Sequence, residues 1–130
     1  MNKVLLVLSV ALLGLAACSN APERQSQKLL KHVVLFDFND DLSDEQVREI
    51  ETAFVNMPAQ IEAIKTFEWG TDIQTEKTAT HPFTHCFVFG FESEEGLKTY
   101  VDHPAHKKVG EMVKDKLKTV SFVDYWENGK

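Results

Sequence analysis

Thr84-His85-Cys86-Phe87-Val88-Phe89-Gly90-Phe91 is the stretch on which the fold turns. In an extended chain, alternate residues point to opposite faces. His85, Phe87, Phe89 and Phe91 then share one face, and Thr84, Cys86, Val88 and Gly90 share the other. Neither face suits open water, so this strand is expected to be covered on both sides.

The segments around it follow the same logic. Upstream, Leu29 to Phe38 reads as another strand. His32, Val34, Phe36 and Phe38 lie on one face, with Lys31, Val33, Leu35 and Asp37 on the other. Asn39-Asp40-Asp41 breaks it. Ser43-Asp44-Glu45-Gln46 is a capping box, in which Ser43 takes a backbone N–H and Gln46 reaches back. Val47, Ile50, Phe54 and Met57 recur at helical spacing, and Pro58 is expected to end that helix. A strand centred on Ile64–Trp69 lies within Ile61 to Ile73, with a bulge or bend at Gly70-Thr71-Asp72. Downstream, Ser93 caps a second helix and Glu94 and Glu95 complement its dipole. Leu97, Tyr100 and Val101 form its apolar side. Pro104 ends that helix near His103 and starts a further one, whose stripe is Val109, Met112, Val113 and Leu117. Thr119 to Trp126 is the last strand.

The order is strand, helix, strand, strand, helix, strand. It predicts an α+β, ferredoxin-like βαββαβ protomer: a four-stranded antiparallel sheet with its helices on one face. The uncovered face of such a sheet is apolar in two strands, which predicts a second copy packed sheet to sheet as a homodimer.

The two ends read differently from this domain. Met1-Asn2-Lys3 precedes an apolar run, Val4 to Leu15, whose one polar residue is Ser9. At about 12 residues it is shorter than the ~20 of a membrane-spanning helix and fits a signal-peptide core. Leu15-Ala16-Ala17-Cys18 resembles a bacterial lipobox, which makes Cys18 the expected lipidation site. Ser19 after the cysteine resembles an outer-membrane sorting signal. The chain is therefore divided into a signal peptide (1–17), a lipidated cysteine and polar tether (18–28) and one domain (29–130). The expected location is the bacterial cell envelope, on the periplasmic face of the outer membrane. Net charge is −6, and loss of Lys3 with the signal makes the mature chain still more acidic. No basic stripe is present to bind nucleic acid, so that class of partner is set aside. With Cys18 lipidated, Cys86 stands alone, reads as a small buried hydrophobe, and forms no intrachain disulfide.

Tyr100-Val101-Asp102-His103-Pro104-Ala105-His106 gathers a tyrosine and two of the five histidines. Abstracting a proton beside a carbonyl needs a base with a pKa near neutrality, as histidine has, and a donor to the developing enolate oxygen, as a phenol supplies. On one continuous helix Tyr100 and His106 would diverge by about 120°. Only a break at Pro104 brings them to one side. His32 and His85, each among phenylalanines, read either as pocket residues or as half-buried histidines bonded to backbone. His103 fits a helix cap, and His81 in the Thr75–Pro82 loop is expected to be solvated. His103-x-x-His106 with His32 or His85 is a third arrangement, imidazoles for a zinc or copper ion. The proline within the spacing and the lack of an aimed carboxylate rank it last, and no metal or cofactor is expected.

Lys31-His32-Val33-Val34-Leu35-Phe36, Phe83-Thr84-His85, Phe91-Glu92-Ser93-Glu94-Glu95, the Tyr100–His106 segment and Val123-Asp124-Tyr125 together resemble the stress-responsive dimeric α+β barrel (Dabb) family. The resemblance runs from about Leu30 to Tyr125. It implies ferredoxin-like protomers whose sheets close into a barrel across a dimer. The family includes plant stress proteins and a plant polyketide cyclase that works without a cofactor through a tyrosine–histidine pair. By resemblance, Tyr100 and His106 take those two catalytic positions, while His32 and His85 match histidines lining the cyclase's cavity and His103 matches the one before its proline; all three are expected as substrate-binding residues. A further cavity tyrosine of the cyclase falls on Phe54. Two functional expectations follow: an envelope protein that binds a small molecule in a histidine-lined cavity, or a cofactor-free enzyme that transfers a proton on a carbonyl compound.

Overall fold

In the computed structural model, which describes residues 28–73, 76 and 78–128, eight elements follow one another. They are β1 (Leu30–Phe38), α1 (Asp44–Val55), α2 (Met57–Gln60), β2 (Thr66–Thr71), β3 (His85–Phe91), α3 (Glu94–Asp102), α4 (Pro104–Val113) and β4 (Leu117–Trp126). The strands form one antiparallel sheet in the order β2-β3-β1-β4, the ferredoxin-like arrangement. The segment read as a signal peptide, the expected lipidation site Cys18 and most of the expected tether lie outside the described residues.

The register decides which residues share a face. His32 pairs with Phe89 and Asp124, Val34 with Phe87 and Phe122, and Phe36 with His85 and Val120. These residues, with Phe67 and Trp69 of β2, point towards the helices. Val33, Leu35, Cys86, Val88 and Val123 therefore point the other way, onto a face that no helix covers among the described residues. Gly90 lies on that outer face beside Thr66, where an added Cβ would collide with the threonine hydroxyl and with Leu29. Glycine is what lets β2 close on β3 there.

The core fills the space between the inner face and the helices. Phe36, Phe87, Phe89 and Phe91 are fully buried, and Ile50 and Phe54 of α1 pack on them. Burying each such side chain contributes ~1.5–3 kcal/mol. Phe54 stacks on Phe87 with ring centroids 4.3 Å apart, and Phe36 meets both rings at 5.4 Å. Offset aromatic pairs of this kind add ~0.5–1.5 kcal/mol beyond burial.

Helix boundaries follow capping chemistry. Both halves of the Ser43–Gln46 box are made, and Ser43 starts α1. Pro58 does not itself end that helix. α1 stops at Val55, and Pro58 sits in the first turn of α2, where its missing N–H costs nothing. The second strand is shorter than expected. Ile61 and Ile64 are buried as core plugs in the turn before it, so β2 starts at Thr66. Gly70 and Thr71 belong to regular β2 pairing, and the irregular step falls between Asp37 and Phe38 against β4. Leu117 begins β4 instead of extending the α4 stripe, because the chain turns after Val113 and the Lys116 N–H donates to the Val113 carbonyl.

Candidate active site

Residues of α3, α4, β1 and β4 line a half-open cavity of about 340 Å³. This is within the range of small-molecule sites. Its walls are mostly apolar, with Val34, Phe54, Leu97, Val113 and Phe122 among them. Its polar groups are His32, Tyr100, His106 and Asp124.

Each polar group is placed by an identifiable local cause. Tyr100 is on the buried side of α3, only 1 % exposed, and packs on Phe89 and Phe91. α3 ends at Asp102, and Pro104 opens α4 in a new direction. The break turns His106 back over Tyr100, with ring centroids 4.4 Å apart. His32 approaches Tyr100 from the sheet side at 5.6 Å. The phenol thus lies between two imidazoles.

Both imidazoles are held by one nitrogen. His32 Nδ1 is 2.6 Å from Asp124 Oδ1, a bond made available by the β1–β4 register that sets the two residues opposite each other. His106 Nδ1–H donates to the Val101 carbonyl at 3.0 Å. A carbonyl only accepts, so in the neutral ring the His106 Nε2 carries the lone pair. Burial holds His106 below the ordinary imidazole value. The Val101 bond opposes this in part, and the nearby His32 and Lys107 reinforce it. Burial, with the Asp124 charge as a smaller cause, pushes the Tyr100 phenol far above its ordinary value. The site thus pairs a neutral imidazole, the form a base requires, with a phenol that keeps its proton.

The remaining histidines lie elsewhere. His85 is 8 % exposed and sits further along the same sheet face. Its Nδ1 is 2.9 Å from Thr84 Oγ1 and its Nε2 is 3.1 Å from Glu51 Oε1. Its ring stacks on Phe36 at an interplanar angle of 5°. It borders a separate pocket near Cys86, Gly70 and Thr71. His103 does not line the cavity either. Its Nδ1 accepts the Ala105 N–H at 3.1 Å as the N-cap of α4. His81, expected to be solvated, is partly exposed and pairs with Asp72 at 2.7 Å. Cys86 is half-buried, and burial, then the Glu68 charge, push its thiol up, away from the reactive thiolate. Among the described residues, no group of His, Cys, Asp and Glu is placed to hold a metal ion.

Asp124 is the site residue that the sequence reading left without a role. The one local signal was a carboxylate at the alternate position after Val120 and Phe122, on the same face of the strand. Its partner is set by pairing with a strand more than ninety residues earlier in the chain.

Comparison with known proteins fits this geometry. Residues 30–127 match the family model described as the stress responsive A/B barrel domain. The stress-response A/B barrel domain-containing protein HS1 of Arabidopsis thaliana is 35% identical over 96 residues, covering 74% of this chain and 87% of that protein. Olivetolic acid cyclase of Cannabis sativa is 31% identical over 96 residues, covering 74% of this chain and 94% of the cyclase. Among solved structures, a dimeric ferredoxin-like protein of unknown function from Thermobifida fusca superposes with a TM-score of 0.66 at 25% identity. That match covers 77% of this chain and 92% of the other. The chain belongs to the stress-responsive A/B barrel domain family.

Proposed function

We propose that the cavity binds a small, largely apolar carbonyl compound and transfers a proton on it without a cofactor. The observation that carries this reading is the placement of Tyr100 between His32 and His106 in one apolar cavity. His106 Nε2 takes the proton next to the carbonyl. The Tyr100 hydroxyl donates to the oxygen on which enolate charge develops. His32, oriented by Asp124, holds the substrate or returns the proton. The mostly apolar walls offer few groups to bind water beside these residues. The likeness to olivetolic acid cyclase supports the same class of chemistry. The Phe54 wall has no polar group to offer, which favours a substrate with fewer oxygens along that side.

The test is deuterium uptake. A 1,3-diketone incubated in D₂O should exchange its acidic C–H faster with the protein than with buffer alone. No acceleration across a panel of β-keto acids and 1,3-diketones would contradict the reading.

Two further properties belong to this proposal. The protein acts as a homodimer, supported by the apolar outer sheet face and by the dimeric Thermobifida fusca relative. A clean monomer at micromolar concentration in a sizing experiment would rule this out. It is anchored in the bacterial envelope through Cys18, supported by the Leu15–Cys18 segment. A Cys18→Ala protein that still sediments with membranes would count against the anchor.

A further inference from the structure

His103 does not reach the cavity, yet it governs a bond that the cavity depends on. In an unbroken helix the Val101 carbonyl would accept the Ala105 N–H, four residues on. Here that N–H donates to His103 Nδ1 instead, at 3.1 Å. Pro104 has no N–H, and the Tyr100 carbonyl, which would have needed it, accepts from the His103 N–H at 3.1 Å. The Val101 carbonyl is therefore left over at the end of α3, and His106 Nδ1–H fills it at 3.0 Å. A helix end normally leaves such carbonyls to water or to caps. This one is used to fix a side chain.

We infer that His103, together with Pro104, is a positioning residue that sets the tautomer of His106. Pro104 forces the extended turn at His103, the His103 cap on Ala105 N–H holds it, and the Val101 carbonyl is thereby kept open to His106 Nδ1–H, which leaves the lone pair on Nε2. The inference deepens the proton-transfer reading, on which its functional meaning rests. Its evidence is a tautomer, which can be read without any turnover.

The experiment is two-bond ¹⁵N–¹H correlation of the histidine rings in the protein above the titration of His106. In the wild type, His106 is expected as a single Nδ1–H tautomer. A wild-type His106 with its proton on Nε2 overturns the inference at once. In His103→Ala, the cap that holds the α3–α4 break is lost, the extended turn before Pro104 loosens, and the Nδ1–H preference should weaken. His103→Asn should restore it, because an asparagine oxygen takes the same N–H as a helix cap. Pro104→Ala, which lets the helix run on and returns Val101 to Ala105, should lose it and stands in if His103→Ala does not fold. Retention of the Nδ1–H tautomer in folded His103→Ala and in Pro104→Ala would show that His103 is a cap and nothing more. A cap lost without other effect lowers stability but leaves the His106 ring unchanged.

Discussion

Two histidine clusters lie on the same face of the same sheet, and they differ in how the rings are held. Around Tyr100, His32 and His106 are each engaged through Nδ1 alone among the described residues, and the rings border a cavity. Further along, His85 is clamped at both nitrogens, by Thr84 and by Glu51, and stacked on Phe36. A ring with both nitrogens occupied can exchange a proton only by breaking a bond that its burial makes costly. A ring with one nitrogen fixed and one presented to a cavity is oriented and still available. Phenylalanine neighbours are common to both clusters, so the neighbours do not distinguish a site from a strut. The count of engaged nitrogens does.

The comparison breaks most visibly in activity. Tyr100→Phe and His106→Ala are each expected to lower catalysed deuterium exchange by roughly 10²–10⁴-fold. His85→Ala should leave the residual rate per folded molecule nearly unchanged. If His85→Ala abolishes exchange while His106→Ala does not, the two clusters have been assigned the wrong way round.

Asp124→Asn sharpens the next level. The amide keeps the shape but loses the charge that holds His32. A hydrogen bond to a charged group contributes ~1.5–3 kcal/mol, so the rate should fall about tenfold to a hundredfold. An unchanged rate would make the Asp124 bond incidental.

Stability should show the reverse order. His85→Ala removes the Glu51 bond and a buried ring stacked on Phe36 and is expected to cost ~1–3 kcal/mol, read from the urea midpoint at constant slope. His81→Ala removes only the partly exposed Asp72 pair and should cost no more than ~1 kcal/mol.

The pH dependence is the smallest effect. His106 is depressed by burial, so between its folded value and the ordinary imidazole value the unfolded chain binds more protons than the folded one. Its contribution to stability is present above the ordinary histidine range and is lost as pH falls through the folded value. The exchange rate should fall over the same acid limb. His106→Gln should flatten that part of the stability profile, and an unaltered profile would indicate that His106 is not desolvated.

Much of this was legible in the sequence, for reasons that differ by element. The Ser43–Gln46 box, the Ser93 cap and the Pro104 break are local chemistry, and each appears where it was expected. The alternation of Thr84–Phe91 named the faces of β3 correctly. Ile61 and Ile64 were misleading because an apolar residue at a strand's edge and one plugging a core from a turn look alike in sequence. The site was half legible. Periodicity gave the inner face but not the position along it. The antiparallel register sets His85 opposite Phe36 and His32 opposite Phe89, four residues apart along β1, roughly 13 Å. That offset removes His85 from the cavity, and the equivalent register with β4 brings Asp124 in. Neither can be read without knowing which strands pair.

The most direct measurement is a ¹⁵N-labelled titration with a 1,3-diketone that follows backbone and ring signals together. The account predicts shifts at Leu97, Val101, His106, Val113 and Phe122, which border the cavity, and none at Gly70, Thr71 and Phe83 beside His85. Shifts confined to the second group, or no saturable shifts at all, would contradict it.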